Sequence, residues 1–96
     1  MNMTRHAQTR LQQRAIPPLI IDWLCKYGRR FQGMNGTTVC FFDKDSRRSL
    51  ASEVGHVVVT RLSDMMDTYL VLSDDCIITV GHRYRPFNRK QAGRAQ

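Results

Sequence analysis

Two segments at opposite ends of the 96-residue chain carry the residue types that handle phosphates. His6, Arg10 and Arg14 recur every four residues near the start. On a helix that spacing advances slightly more than one turn, so the three side chains stack along one side. A guanidinium offers a fixed fork of donors that suits phosphate oxygens, and an imidazole beside it exchanges a proton near neutral pH. The second segment is His82-Arg83-Tyr84-Arg85, with Arg89 and Lys90 beyond it. Cations there suit phosphates, and the interleaved ring can stack on a base. Arg47 and Arg48 lie next to Asp43 and Asp45 and read as a surface turn with local ion pairs that extends a basic face. Each segment also has a plainer reading, as a solvated helix face or a solubilising tail.

Other chemistries find less support. The three cysteines, Cys25, Cys40 and Cys76, form neither a disulfide framework nor a C-x-x-C pair, and they read as reduced, mostly buried thiols. The three histidines and three cysteines stand at no recognised ligand spacing, so neither a metal nor a cofactor is expected. His56 reads as a structural residue. There is no phosphate-binding glycine loop, no H-E-x-x-H and no G-x-S-x-G.

Charge is distributed unevenly. Residues 1–48 carry nine Lys/Arg against three Asp, residues 49–81 one Arg against five acids, and residues 82–96 five Lys/Arg and no acid. The net charge of +7 is therefore concentrated at the two ends. A fold that brings the ends together makes one cationic surface, which attracts phosphates and binds them in a salt-dependent way. A nucleic acid is the partner this implies. No apolar run reaches the ~18 residues of a membrane span, and the basic start has no apolar leader segment, so a cytoplasmic protein is expected.

The elements that must position these residues can be read in order. Residues 4–14 read as a helix capped by Thr4, with Met3, Ala7, Leu11 and Ala15 as a narrow apolar stripe. Pro17 and Pro18 suit the first turn of a second helix, over 17–27, whose apolar face is Leu19, Ile20, Trp23, Leu24 and Tyr27. Gly28 is expected to end it in the left-handed conformation. A hairpin follows, with strands over 28–34 and 37–43 and a two-residue Asn35-Gly36 turn. The second of these strands is apolar on both faces, which predicts cover on both sides.

Residues 46–66 read as helical, with Ser46 as a cap and Leu50, Val54, Val58, Leu62 and Met65 at helical spacing; Gly55 and the β-branched run Val57 to Thr60 argue for a break. Strands over 69–72 and 76–80 flank a turn at Ser73-Asp74-Asp75. The prediction is an α+β domain over 1–85, with two N-terminal helices and one middle helix on one side of a small antiparallel sheet. A basic, flexible tail is expected over 86–96. No strand is expected ahead of the first helix.

The spacing His6-Ala7-x-x-Arg10-x-x-x-Arg14, the pair Tyr27-Gly28 and the late run Ile78-Thr79-Val80-Gly81-His82-Arg83 resemble the bacterial family known as domain of unknown function 4258. The resemblance runs over residues 4–85. That family is similar in layout to the RelE/ParE toxins, small domains with two N-terminal helices against an antiparallel sheet. Some of them are ribonucleases of toxin–antitoxin pairs that act without a metal. The resemblance implies a RelE-like fold, action on RNA rather than DNA, an acidic antitoxin-like partner, and a site built from His6, Arg10, Arg14, Thr79, His82 and Arg83. Cleavage of that kind would use His6 and His82 for proton transfer, with Tyr84 stacking or assisting. Arg10, Arg14, Arg83 and Arg85 would hold the phosphate, and Arg47, Arg48, Arg89 and Lys90 would widen the basic surface. Two alternatives stay open: a nucleic-acid-binding module without chemistry, and an interaction protein paired with an acidic partner.

Overall fold

Thr4 decides how the chain begins. Its hydroxyl accepts the Ala7 amide and so caps the first helix, α1 (Arg5–Gln13). The same hydroxyl donates to the Ile78 carbonyl, and the Thr4 amide donates to the Ile77 carbonyl. One residue thus starts the helix and ties it to the other end of the chain. The computed structural model describes residues 2–83. The expected tail, with Tyr84, Arg85, Arg89 and Lys90, lies outside the described residues.

The order of elements is β1 (Asn2–Met3), α1, α2 (Pro18–Tyr27), β2 (Arg29–Gln32), β3 (Thr38–Phe41), α3 (Lys44–Val54), α4 (His56–Arg61), β4 (Thr68–Ser73) and β5 (Cys76–His82). Short 3-10 turns lie at Met34–Gly36 and Ser63–Met65. The five strands form one sheet in the order β1-β5-β4-β3-β2. The α+β expectation holds. The sheet, however, is mixed: β1 precedes the helices and pairs parallel with β5, Asn2 opposite Cys76 and Met3 opposite Ile77. Two residues are too few to show strand periodicity, so only the partner strand reveals this one.

Strand alternation and register assign the two faces. One carries Cys40, Leu70, Leu72, Ile77 and Val80, which are buried together with Ile20, Ile21, Trp23 and Leu24 of α2, Leu50 of α3 and Ala7 of α1. Removing these side chains from water is worth about 1.5–3 kcal/mol for each large aliphatic one. The opposite face carries Phe31 of β2, Val39 and Phe41 of β3, Tyr69 and Val71 of β4, and Thr79 and Gly81 of β5. No described helix packs there. Among the described residues, helices cover β3 on one side. Phe41 still falls to 6% exposure, with Phe31 edge-on against it at 5.5 Å and the Arg83 guanidinium over its ring at 5.0 Å.

Several local expectations are corrected. Asp43, not Ser46, caps α3: its carboxylate accepts both the amide and the hydroxyl of Ser46. Gly28 is extended rather than left-handed, and its role is spatial. A Cβ there would stand 2.5 Å from the Leu24 carbonyl oxygen and 3.2 Å from that of Phe41. The Asn35-Gly36 pair does adopt positive φ, but inside a wider loop closed by Gly33 N–H to the Thr37 carbonyl and by the Thr37 amide and hydroxyl to the Met34 carbonyl. By contrast the Asp74-Asp75 turn has both residues at positive φ, as a tight hairpin requires. The 46–66 segment is broken at Gly55, whose φ of 95° no L side chain adopts easily. The break rotates the register, so Val59 packs against the core while Val58 is 38% exposed. Leu19 and His56 are also exposed, against the buried apolar and structural roles read for them.

Candidate functional site

Two motifs 73 residues apart meet at β5. His6 lies on the first turn of α1, and the Thr4 anchor sets that turn against the β5 edge. Its Nε2 stands 3.5 Å from the Thr79 hydroxyl oxygen, at the edge of the helix-free face. Arg10 follows one turn along and is half-buried; its Nε is buried with no hydrogen-bond partner among the described residues. Arg14 ends the stripe as the C-cap of α1, its amide donating to the Arg10 carbonyl. The helix thus lays an imidazole beside a strand hydroxyl, with a guanidinium one helical turn along it, the group types that move a proton and hold an anion.

His82 sits elsewhere. It pairs in register with Thr68 on the helix-covered face, whereas Thr79 and Gly81 belong to the other face. Its Nδ1 lies 2.8 Å from the Asp67 carboxylate, an acceptor that places the proton on Nδ1. His6 reaches Thr79, and His82 is three residues farther on, about 10 Å along a strand, on the opposite face. The expected acid–base pair of His6 and His82 across one phosphate is therefore not formed. Alternation along β5 separates them.

Arg83 is placed where the sequence suggested. It leaves β5 with its amide bonded to the Asp67 carbonyl, covers the Phe41 ring, and donates from Nη2 to the Phe42 carbonyl. Burial pushes its pKa down, and the nearby charge of Arg47 adds to that. The carboxylates of Asp67 and Asp43 act on it in the opposite direction. Arg47 and Arg48 are exposed on the first turns of α3.

Sequence reading missed the rings between these cations. Tyr69 lies against Gly81: a Cβ added to the glycine would meet the Tyr69 ring at 3.1 to 3.3 Å. Phe31, Phe41 and Tyr69 thus form an aromatic band from β2 to β4, ending one strand from Thr79. The available signal was an aromatic at one alternate position of each of three successive strands. It was obscured because β3 and β4 read as apolar on both faces, which hides the face that each ring belongs to.

The remaining groups fit a structural role. Cys25 and Cys40 have their thiol pKa raised by burial, which makes them poor nucleophiles. Cys25 and Cys76 are half-buried, less covered than expected, and all three thiols are free. A groove of about 400 Å³ beside Cys25 is lined by Met3, Leu11, Ile21 and Ile77, with Lys26 and Arg30 at its rim. Burial raises the Asp43 carboxyl, but hydrogen bonds from Ser46 and the Arg29 guanidinium outweigh it and hold the pKa down at about 2. Among the described residues no three His, Cys, Asp or Glu side chains are grouped as a metal site requires. No described helix is long and apolar enough to cross a membrane.

The fold defines a class: a small α+β domain whose described helices pack on one face of a five-stranded mixed sheet. No protein-family model, no curated protein and no solved structure matches the chain.

Proposed function

We propose that the helix-free face binds RNA and that His6, Arg10 and Thr79 form a phosphodiester-cleaving site at its β5 edge. The observation that carries this reading is the 3.5 Å approach of His6 Nε2 to the Thr79 hydroxyl, which sets the basic first helix against β5. The resemblance to toxin-type ribonucleases supports it, since it points to the same residues.

The reaction that fits is attack of a ribose 2′-oxygen on the adjacent phosphorus, with rupture of the bond to the 5′-oxygen. The His6 imidazole takes the 2′-hydroxyl proton, and Thr79 orients the ring. Arg10 stabilises the charge that gathers on the phosphoryl oxygens. The departing 5′-oxygen takes its proton from water. His82, held by Asp67 on the other face, is a positioning residue for the end of β5 and does not touch the phosphate.

The test is cleavage of end-labelled RNA, free and ribosome-bound, in the presence of chelator. The wild type should cut. His6→Ala should lose about 10²- to 10⁴-fold in rate, the usual worth of a positioned proton carrier. Arg10→Ala should fall similarly, and Thr79→Val less. One observation favours a second reading: the His82–Asp67 pair leaves the site a single histidine. Intact RNA that still shifts in a gel, more weakly as salt rises, would establish a binding module instead. Tight binding to an acidic protein with no RNA shift would point to the interaction role.

A further inference from the structure

We infer that the groove along α2 binds the free anion of a medium-chain fatty acid, an unbranched apolar chain ending in a carboxylate. The groove lies on the helix-covered side of the sheet, apart from His6 and Thr79, and is a site of its own. Its shape follows from spacing on α2. Pro18, Ile21, Asp22, Cys25 and Lys26 line it, at steps of three and four residues. Such positions share one flank of a helix, so the groove runs along that flank. Eight residues of helix rise about 12 Å, which sets its length. An extended carbon chain advances about 1.2 Å per bond, so a chain of about ten carbons fills it. The volume of about 400 Å³ lies within the range of small-molecule clefts.

The wall and the rim differ in polarity. Met3 of β1, Leu11 of α1 and Ile77 of β5 supply the apolar wall. Met3 and Ile77 are register partners, and Met3 and Leu11 pack on the core while staying partly exposed. The cations stand toward the last turn of α2. There Arg30 Nη2 donates to the Cys25 carbonyl at 3.1 Å. That bond fixes the guanidinium at the groove and leaves its other N–H groups for an anion. No acidic side chain pairs with Arg30 among the described residues. Lys26 is exposed beside it, with its ammonium 5.4 Å from the centre of the Tyr27 ring. Asp22 lies one turn earlier on the same flank and repels a carboxylate from the middle of the groove, which favours the end at Arg30. An apolar chain with one anionic end matches this order. A small inorganic anion would leave the apolar wall uncovered, and a neutral lipid would leave the cations unpaired.

The experiment is calorimetric titration of the full chain with decanoate below its micelle concentration, with methyl NMR to locate it. A single equivalent should bind. The methyl signals of Met3, Ile21 and Ile77 should shift, and those of Val57 and Val58, exposed on α4, should not. Octanoate should bind roughly ten-fold more weakly, for two methylenes fewer in the groove. Dodecanoate should gain less than that step, because the groove is already filled. Decyltrimethylammonium, with the same chain and the opposite charge, should not bind. Arg30→Gln, on the edge strand β2, should lose roughly 10- to 100-fold, the usual worth of a hydrogen bond to a charged group. Leu11→Trp fills the groove and should abolish binding. Circular dichroism of both variants confirms that they fold. Affinity that keeps rising with chain length, several equivalents bound, or shifts at Val57 and Val58 would show detergent-like adsorption and overturn the inference. Binding of the cationic amphiphile, full binding by Arg30→Gln, or no binding of decanoate would overturn it as well. RNA cleavage is read separately, so each of these outcomes leaves the proposed function standing.

Discussion

At the residue scale, a few side chains fix the ends of elements and so the site. Asp43 caps α3, accepts two hydrogen bonds from Ser46 and pairs with Arg29 of β2. Its pKa is lowered from 3.8 to about 2. A group whose folded pKa is depressed contributes stability above its unfolded pKa and loses it as pH falls toward the folded value. The Asp43 contribution should therefore be complete above about pH 4 and vanish toward about pH 2. Asp43→Asn keeps a capping oxygen but does not titrate. Its denaturation midpoint should fall less steeply than that of the wild type between those limits. Identical acid limbs would show that Asp43 does not drive the change. His6 and His82 were equally legible as chemistry-bearing residues. Only strand alternation separates the one on the helix-free face from the one held by Asp67.

At the element scale, two backbone positions set how the helices turn, with opposite consequences. α1 ends with Ala15 at φ 52°, the Ile16 amide bonded to the Leu11 carbonyl and the Ala15 amide to that of Gln12. This is the helix ending that usually employs glycine. Ala15→Gly should therefore stabilise the domain, by up to about 1 kcal/mol. Gly55 joins α3 to α4 at φ 95°, ψ 147°, and a Cβ there would meet no atom within 4 Å. The cost of Gly55→Ala is thus conformational alone, about 1–3 kcal/mol of destabilisation. Urea midpoints of the two variants should shift in opposite directions. The same sign for both would mean that these joints do not carry the strain their dihedrals indicate.

At the scale of the whole molecule, the sheet order brings distant segments of the chain together. The basic start of the chain meets β5 because β1 and α1 attach at Cys76 to Thr79, not because they are adjacent in sequence. Binding at this surface should weaken linearly in log affinity against log salt, with about 0.7 of slope for each phosphate neutralised on a single strand. Arg47 is exposed on α3, and its charge acts on Arg83. Arg47→Ala should reduce the slope by about 0.7 and weaken binding uniformly across sequences. An unchanged slope would place Arg47 outside the contact surface.

The sequence by itself determined what depends on neighbours along the chain. The caps and prolines located α1 and α2, helical spacing with Gly55 located the broken α3–α4 segment, and the Asp74-Asp75 turn located the last hairpin. The α+β class and the cationic ends followed from the same local patterns. Tertiary structure decided what depends on pairing across the chain. A two-residue strand has no periodicity of its own, so β1 exists only through β5. A strand apolar on both faces does not say which face the helices cover, so the aromatic band of Phe31, Phe41 and Tyr69 stayed hidden. One residue of alternation moves a side chain through the sheet, and that geometry sets His6 beside Thr79 and His82 beside Asp67.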